Sequence, residues 1–186
     1  MVATPEEVLT YWFEGGPDRT ARWFGAEPAT DAEVRRRFGD TLDRAACGVL
    51  DEWAATSRGR LALIVVLDQF SRNVHRGTPR SFAQDPRALA LCLDGVARGE
   101  DRGLAPVERA FFYMPLQHAE DAGVQERSVA CFERLAAEAP DVAGFLNYAR
   151  QHRDVIARFG RFPHRNATLG RRSTSAEDAF LAAERS

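Results

Sequence analysis

Lysine is missing altogether. All 25 basic side chains other than histidine are arginine, so every cationic contact in the protein is planar and able to hold two acceptors at once. Cysteine is scarce and odd in number. Cys47, Cys92 and Cys131 stand far apart, each among apolar residues in a helical pattern; they read as buried free thiols in a reducing compartment, and no metal-binding spacing appears. Long apolar runs are lacking too. The longest, Leu61–Leu67, falls far short of the roughly 20 residues a helix needs to cross a bilayer. The first residues, Met-Val-Ala-Thr-Pro-Glu-Glu, carry neither the basic nor the apolar stretch of a secretory leader. A cytoplasmic protein with no membrane contact is the expectation. Also absent are a convincing strand, a hairpin-turn signal, a low-complexity linker and an internal repeat. A formal net charge of −2 gives no general attraction to nucleic acid.

What is present is helix punctuation. Thr4-Pro5-Glu6-Glu7 combines a cap, a proline in the first turn and a capping box; that helix is expected to reach Phe13 and stop at Gly15-Gly16-Pro17. A short helix follows through Arg22-Trp23-Phe24, and its aromatic pair is expected to pack against Trp12-Phe13 or the core. Thr30-Asp31-Ala32-Glu33 reads as a second capping box, followed by Val34, Phe38, Leu42 and Ala45 at helical spacing. From Arg60 the chain reads Leu-Ala-Leu-Ile-Val-Val-Leu-Asp-Gln-Phe-Ser-Arg-Asn. Its β-branched run imitates a buried strand, but its length and helical neighbours favour a central helix, apolar all round. Asp85-Pro86 and Pro106 open two more helices, with Pro115 inside the second expected to kink or restart it. Helices over 123–139 and 141–159 follow, the latter ended by Gly160, and Thr174-Ser175-Ala176-Glu177 caps the last. The expectation is one all-α domain over 1–186, an antiparallel bundle of about eight to nine helices joined by short connections.

Three polar clusters sit in or beside these apolar surroundings. Asp68, Arg72 and Asn73 end the most apolar helix, and Asp68 and Arg72 are spaced to pair. They form either a buried network that orients helices or the floor of a pocket. His118, Glu120 and Asp121 follow Pro115. A carboxylate beside a histidine can tune a general base or bind a metal, although no second histidine follows at the four-residue spacing of a metal helix. The third cluster is the least helix-like stretch of the chain, with Arg161, His164, Arg165, Asn166 and Arg171. Residues 150–172 hold seven arginines and one aspartate, a local charge of 7 − 1 = +6, which leaves about −8 for the remainder. These arginines face either acidic side chains of the same fold, locking the terminal segment to the bundle, or an anionic ligand. The helix start at Ser173 and Thr174, beside Arg171, is a candidate anion site.

In this order the clusters resemble the DUF924 family of bacterial proteins of unknown function. The carrying segments are Tyr11-Trp12-Phe13, Arg22-Trp23-Phe24, 59–63, Asp68-Gln69-Phe70-Ser71-Arg72-Asn73 and Arg76-Gly77-Thr78. They continue with Pro115-Leu116-Gln117-His118-Ala119-Glu120-Asp121, 158–166 and 169–174. The family pattern looks like Asp-Gln-Phe-Pro-Arg-Asn, with Ser71 here in place of proline, and like Pro-Leu-Met-His-Ser-Glu-Asp, with Gln117 and Ala119 here. The loss of that serine hydroxyl argues against a nucleophile at position 119. The resemblance implies an all-helical, tetratricopeptide-like fold and no established activity.

Three functions follow as expectations. The first is a cleft lined by Asp68, Arg72, Asn73, Arg161, His164, Arg165, Asn166 and Arg171 that binds a small anion or an acidic peptide. The second is a hydrolase-type enzyme using His118 with Glu120 or Asp121. The third is a protein-interaction scaffold in which the polar clusters are structural. No cofactor or metal is indicated by spacing.

Overall fold

The computed structural model of the chain describes residues 1–14 and 18–184. The expected stop at Gly15-Gly16-Pro17 lies outside them. Among the described residues there is no strand. The helices are α1 (Pro5–Phe13), α2 (Asp18–Phe24), α3 (Pro28–Ala46), α4 (Ser57–Ile64), α5 (Asp85–Arg98), α6 (Pro106–Gln117), α7 (Ala122–Glu138), α8 (Gly144–Phe159) and α9 (Ser175–Ala183). Short 3₁₀ turns at Asp51–Ala55, Pro79–Phe82, Pro140–Val142 and Pro163–Arg165 fill the connections.

The starts follow the sequence in most places. Thr4 and Thr174 each accept a bond from the backbone N–H three residues on, and Glu7 and Glu177 reach back to complete both capping boxes. Gly99 and Gly160 close α5 and α8 in the left-handed conformation that glycine adopts without a Cβ clash. Two expected starts differ. α3 begins earlier, at Pro28 with Glu27 as cap, so Thr30 and Asp31 lie in its first turn. Asp31 instead pairs with Arg76. In α5 the cap is Gln84, and Asp85 is the first helical residue with its carboxylate turned to other work.

The β-branched run is helix, and the most buried one. Leu61 through Leu67 are between 0% and 1% exposed. α4 does not end at Ile64, however. It widens into a π-helical segment over Val65–Phe70 and resumes α-helical geometry over Ser71–Val74. This central rod packs against α1, α3, α5 and α6, and the following helices pack in chain order, α5 on α6, α6 on α7, α7 on α8. An aromatic cluster fills one end. Trp12 meets Phe70 and Phe111 edge-on at 5.5 and 5.8 Å, Phe13 meets Trp23 at 6.2 Å, and Trp23 Nε1 donates to the Trp12 carbonyl at 2.8 Å. Arg60, 3% exposed, is the one cation so deep in the rod, and it is fully partnered. It donates to Glu100 at 2.6 Å, to the Ala54 carbonyl at 3.0 Å and to the Leu91 carbonyl at 3.3 Å, and pairs with Asp94 at 3.0 Å.

Pro115 neither breaks nor restarts α6. It lies in the last turn, and the helix ends two residues later with His118 as its C-cap. His118 is therefore at a corner, not on a helix face, and that corner sets the geometry of the site.

α5 crosses the rod closely at Gly95. A Cβ there would lie 2.5 Å from Phe112 and 2.7 Å from the Arg60 side chain. Gly95→Ala is expected to lower unfolding stability by about 1–3 kcal/mol through overpacking, read as a reduced urea midpoint. A midpoint equal to or above the parent's contradicts the tight crossing.

Candidate functional site

The π-helical segment delivers Asp68 into the interior with no exposed surface at all. An unpaired carboxylate there costs several kcal/mol, and three groups answer it. Arg72, one turn on, pairs with Oδ1 at 3.1 Å; His118 Nδ1 lies 2.7 Å from the same oxygen; Gln69 Nε2 donates to Oδ2. Burial alone would raise the Asp68 carboxyl, but Arg72 and His118 overcome it and hold the group well below the usual carboxylate range. Burial pushes His118 the other way, below its ordinary value, with Arg72 adding to the effect against Asp68. The pair is thus a carboxylate and a neutral imidazole whose Nδ1–H donates to Asp68. The remaining ring nitrogen, Nε2, has no partner among the described residues and is not sealed from solvent.

A second carboxylate extends the network. Asp85, at the start of α5, binds Arg72 at 3.0 Å and Arg165 at 3.0 Å. Arg165 is 6% exposed. Its guanidinium lies between the rings of Phe82 and Phe162, at 4.6 and 4.7 Å from their centres, and it donates to the His118 carbonyl at 3.1 Å. Burial holds Arg165 below the usual arginine value despite Asp85. Its Nε is buried with no partner.

This charged end closes one side of a recess of about 400 Å³. The walls are Pro79, Phe82, Ala83, Pro86, Leu89, Pro115, Ala119 and Leu169; Asp85, His118 and Arg165, with Glu120 and Asp121, supply the polar lining. The volume suits a small organic molecule, and an apolar cleft with few convergent polar groups is the usual form of such a site.

The sequence-derived residues divide accordingly. Asp68, Arg72, His118 and Arg165 form one network. Glu120 and Asp121 do not serve His118. Glu120 takes both arms of Arg171, at 2.7 and 2.9 Å, and the Phe162 N–H at 2.7 Å, and these hold its carboxyl below the ordinary range against the opposing effect of burial. Asp121 caps α7 through the Val124 N–H. The chain turns between His118 and Asp121, so the three-residue spacing that would align them on a helix does not apply. Asn73 donates to Asp31 on α3, away from the recess. Arg161 grips Glu177 at 2.7 and 2.8 Å. Asn166 ties Ser173 to Arg171 at 3.1 and 2.9 Å. His164 is exposed beside the Phe162 ring and does not line the cavity. The α9 start is occupied by its own Thr174–Glu177 box, with Ser173 and Arg171 both engaged, so the expected anion site there is already filled by the chain. Of the two readings of the basic segment, internal pairing accounts for Arg150, Arg153, Arg161, Arg165 and Arg171.

Two participants escaped the sequence. Asp85 resembled a helix cap, and nothing local distinguishes a capping aspartate from a bridging one. His152 on α8 is the other. It falls three residues after Ala149 and four before Ile156, both buried, so helical spacing already placed it inward. Its ring lies 6.3 Å from His118 and 5.3 Å from Phe162. Burial, with the neighbouring histidines and Arg165, pushes its pKa down to about 3. Among the described residues no group of three His, Cys, Asp or Glu side chains is arranged to hold a metal ion.

The chain matches the family model described as bacterial protein of unknown function (DUF924) over residues 8–185. It is also similar to the solved structure of a protein of unknown function from Agrobacterium tumefaciens, 37% identical, covering 95% of this chain and 96% of that one with a TM-score of 0.86. No curated protein matches.

His152 makes the fold acid-sensitive in a defined window. The unfolded chain takes up its proton near 6.5, the folded chain only near 3, so the stability that His152 contributes is full above about 6.5, falls as pH drops, and is gone near 3. The loss is on the order of a few kcal/mol. His152→Phe is expected to make that limb of the urea-stability profile shallower, His118 and His164, also held below their ordinary values, supplying the rest; an unchanged limb assigns the titration elsewhere.

Proposed function

The chain belongs to the DUF924 family, and from that starting point we propose that the recess between α5, α6 and the 161–172 segment binds a small molecule with an apolar body and one oxygen-bearing polar end. The observation that supports this most directly is the pairing, at one end of an apolar cavity, of two groups with unused capacity. His118 Nε2 is open, and the guanidinium of Arg165 has N–H groups beyond those given to Asp85 and the His118 carbonyl. Both are held rigidly, His118 by Asp68 and Arg165 by two aromatic rings and Asp85. Such preorganisation lowers the ordering cost of binding. Phe82, Leu89 and Leu169 supply the apolar contact.

The charges in the floor narrow the earlier expectation of a simple anion site. Asp68 and Asp85 balance Arg72 and Arg165, so no surplus positive charge draws in a polyanion. An acidic peptide terminus or a nucleotide phosphate is a poorer fit than a compact, largely apolar molecule.

A second reading, an enzyme, is favoured by one specific contact. The buried Asp68 fixes the tautomer and orientation of His118, as the carboxylate of a catalytic triad does for its histidine. In this reading His118 works with Asp68, rather than with Glu120 or Asp121, and takes a proton from a bound substrate or water. Among the described residues no hydroxyl or thiol lines the recess, so a serine- or cysteine-type covalent intermediate is not part of this reading. The scaffold reading has less support, since the exposed large apolar side chains among the described residues are limited to Met1, Phe24, Val49 and Tyr148. A cytoplasmic setting suits the three free cysteines, and among the described residues no helix is long and apolar enough to cross a membrane.

The test is calorimetry with a panel of small aromatic and aliphatic acids, amides and alcohols. At least one is expected to bind, and Arg165→Gln or Phe82→Ala is expected to weaken it about tenfold or more. A panel that shows no binding, or binding indifferent to both substitutions, removes the recess as the site.

A further inference from the structure

We infer that the ligand is a weak monobasic carboxylic acid, taken up together with its proton: the proton rests on His118 Nε2 while a carboxylate oxygen meets Arg165. This rests on the binding reading above and specifies its ligand class.

The argument is one of charge conservation in a closed space. Asp68 is wholly buried, Arg165 nearly so, and Arg72 and Asp85 are mostly covered. Asp68 and Asp85 balance Arg72 and Arg165 while His118 is neutral, Glu120 is balanced by Arg171, and Asp121 adds a negative charge to the lining, so the recess carries no positive surplus. A bare carboxylate entering would add one uncompensated negative charge, at a cost set by desolvation. A neutral ligand would leave the Arg165 donors with a weaker acceptor than a charged oxygen. A carboxylic acid meets both demands. Its O–H bond breaks, the proton joins the Nε2 lone pair, and the bonding electrons stay on the carboxylate. The imidazolium then lies between two carboxylates, Asp68 on Nδ1 and the ligand on Nε2, and the net charge of the site is unchanged.

The groups around His118 permit this. Asp68 and Arg72 face it from the central helix, Asp85 from α5, His152 from α8, and Arg165 and His164 from the C-terminal segment; on its own turn Glu120 is neutralised by Arg171, and Asp121, which also lines the recess, accepts the Val124 N–H. Only the histidines change charge in the physiological range. Burial keeps His152 neutral there, and His164 stands outside the recess.

The experiment uses the full chain, with benzoate and pentanoate as probes and benzamide as the neutral counterpart. Calorimetry in phosphate and in Tris buffer reports protons exchanged on binding. About one proton is expected to be taken up per benzoate, with affinity falling about tenfold for each pH unit between roughly 6.5 and 8.5. Imidazole ¹⁵N spectra should show His118 Nε2 passing from unprotonated to protonated on saturation, with no such change for benzamide. His118→Gln, whose amide can still donate to Asp68, is expected to abolish both the proton uptake and the pH dependence. Benzoate binding with no proton taken up and an Nε2 shift unmoved overturns the inference and leaves the binding reading standing. Binding by benzamide but neither acid has the same meaning. No binding by any of the three overturns the inference, and the reading beneath it also falls if the wider panel fails.

Discussion

A carboxylate with no contact to solvent organises one half of this molecule. Asp68 has to be answered by cations and donors, and the answers come from different parts of the chain: Arg72 and Gln69 from its own helix, His118 from the corner after α6. Arg72 then needs a second acceptor, which is Asp85, and Asp85 in turn receives Arg165 from beyond α8. Each ionic link brings another element to the same point. Burying such a network contributes little net stability compared with an apolar core of equal volume. Its effect is positional: it fixes where the α6–α7 corner and the 161–172 segment sit, and so creates a cavity between them.

The helices were legible because their punctuation is local. Thr4, Thr174, Gly99, Gly160 and the prolines act within a turn of where they stand, and the apolar spacing of α3, α7 and α8 does the rest. The failures arose where one side chain had two possible partners. Asp31 had the sequence of a first-turn residue in a capping box and was taken by Arg76. Asp85 looked like a cap and was taken by Arg72 and Arg165. Glu120 and Asp121 stood near His118 in sequence and were taken by Arg171 and a helix N-terminus. In each case a long-range arginine or a change of chain direction overrode a short-range pattern. The Asp68–Arg72 pair, four residues apart on one helix, was legible; the Asp68–His118 pair, fifty residues apart, had no sequence signal beyond the scarcity of reasons to bury either group.

The basic terminal segment gives the clearest lesson about charge. A run with a formal excess of six positive charges invites an anionic partner, yet most of its guanidiniums close on Glu133, Asp154, Glu177, Glu120 and Asp85. Apart from Asp154, which lies within the run, those partners come from the acidic remainder of the chain. The segment acts as a clasp across the bundle, and Arg165 comes to rest in the wall of the recess. The two aromatic rings beside its guanidinium explain why arginine suits this position: a lysine ammonium offers no flat surface to stack.

The widened turn between Ile64 and Ser71 has a consequence for how much variation the central rod tolerates. Such a turn is equivalent to one residue slipped into an otherwise regular helix, which rotates everything beyond it by on the order of 100°. The upstream half aims Arg60 at Asp94 and Glu100, whereas the downstream half aims Arg72 and Asn73 at Asp85 and Asp31. The two halves keep separate azimuths. Substitutions can alter either half alone, but loss of a single residue between them would swing the downstream polar groups toward the apolar core.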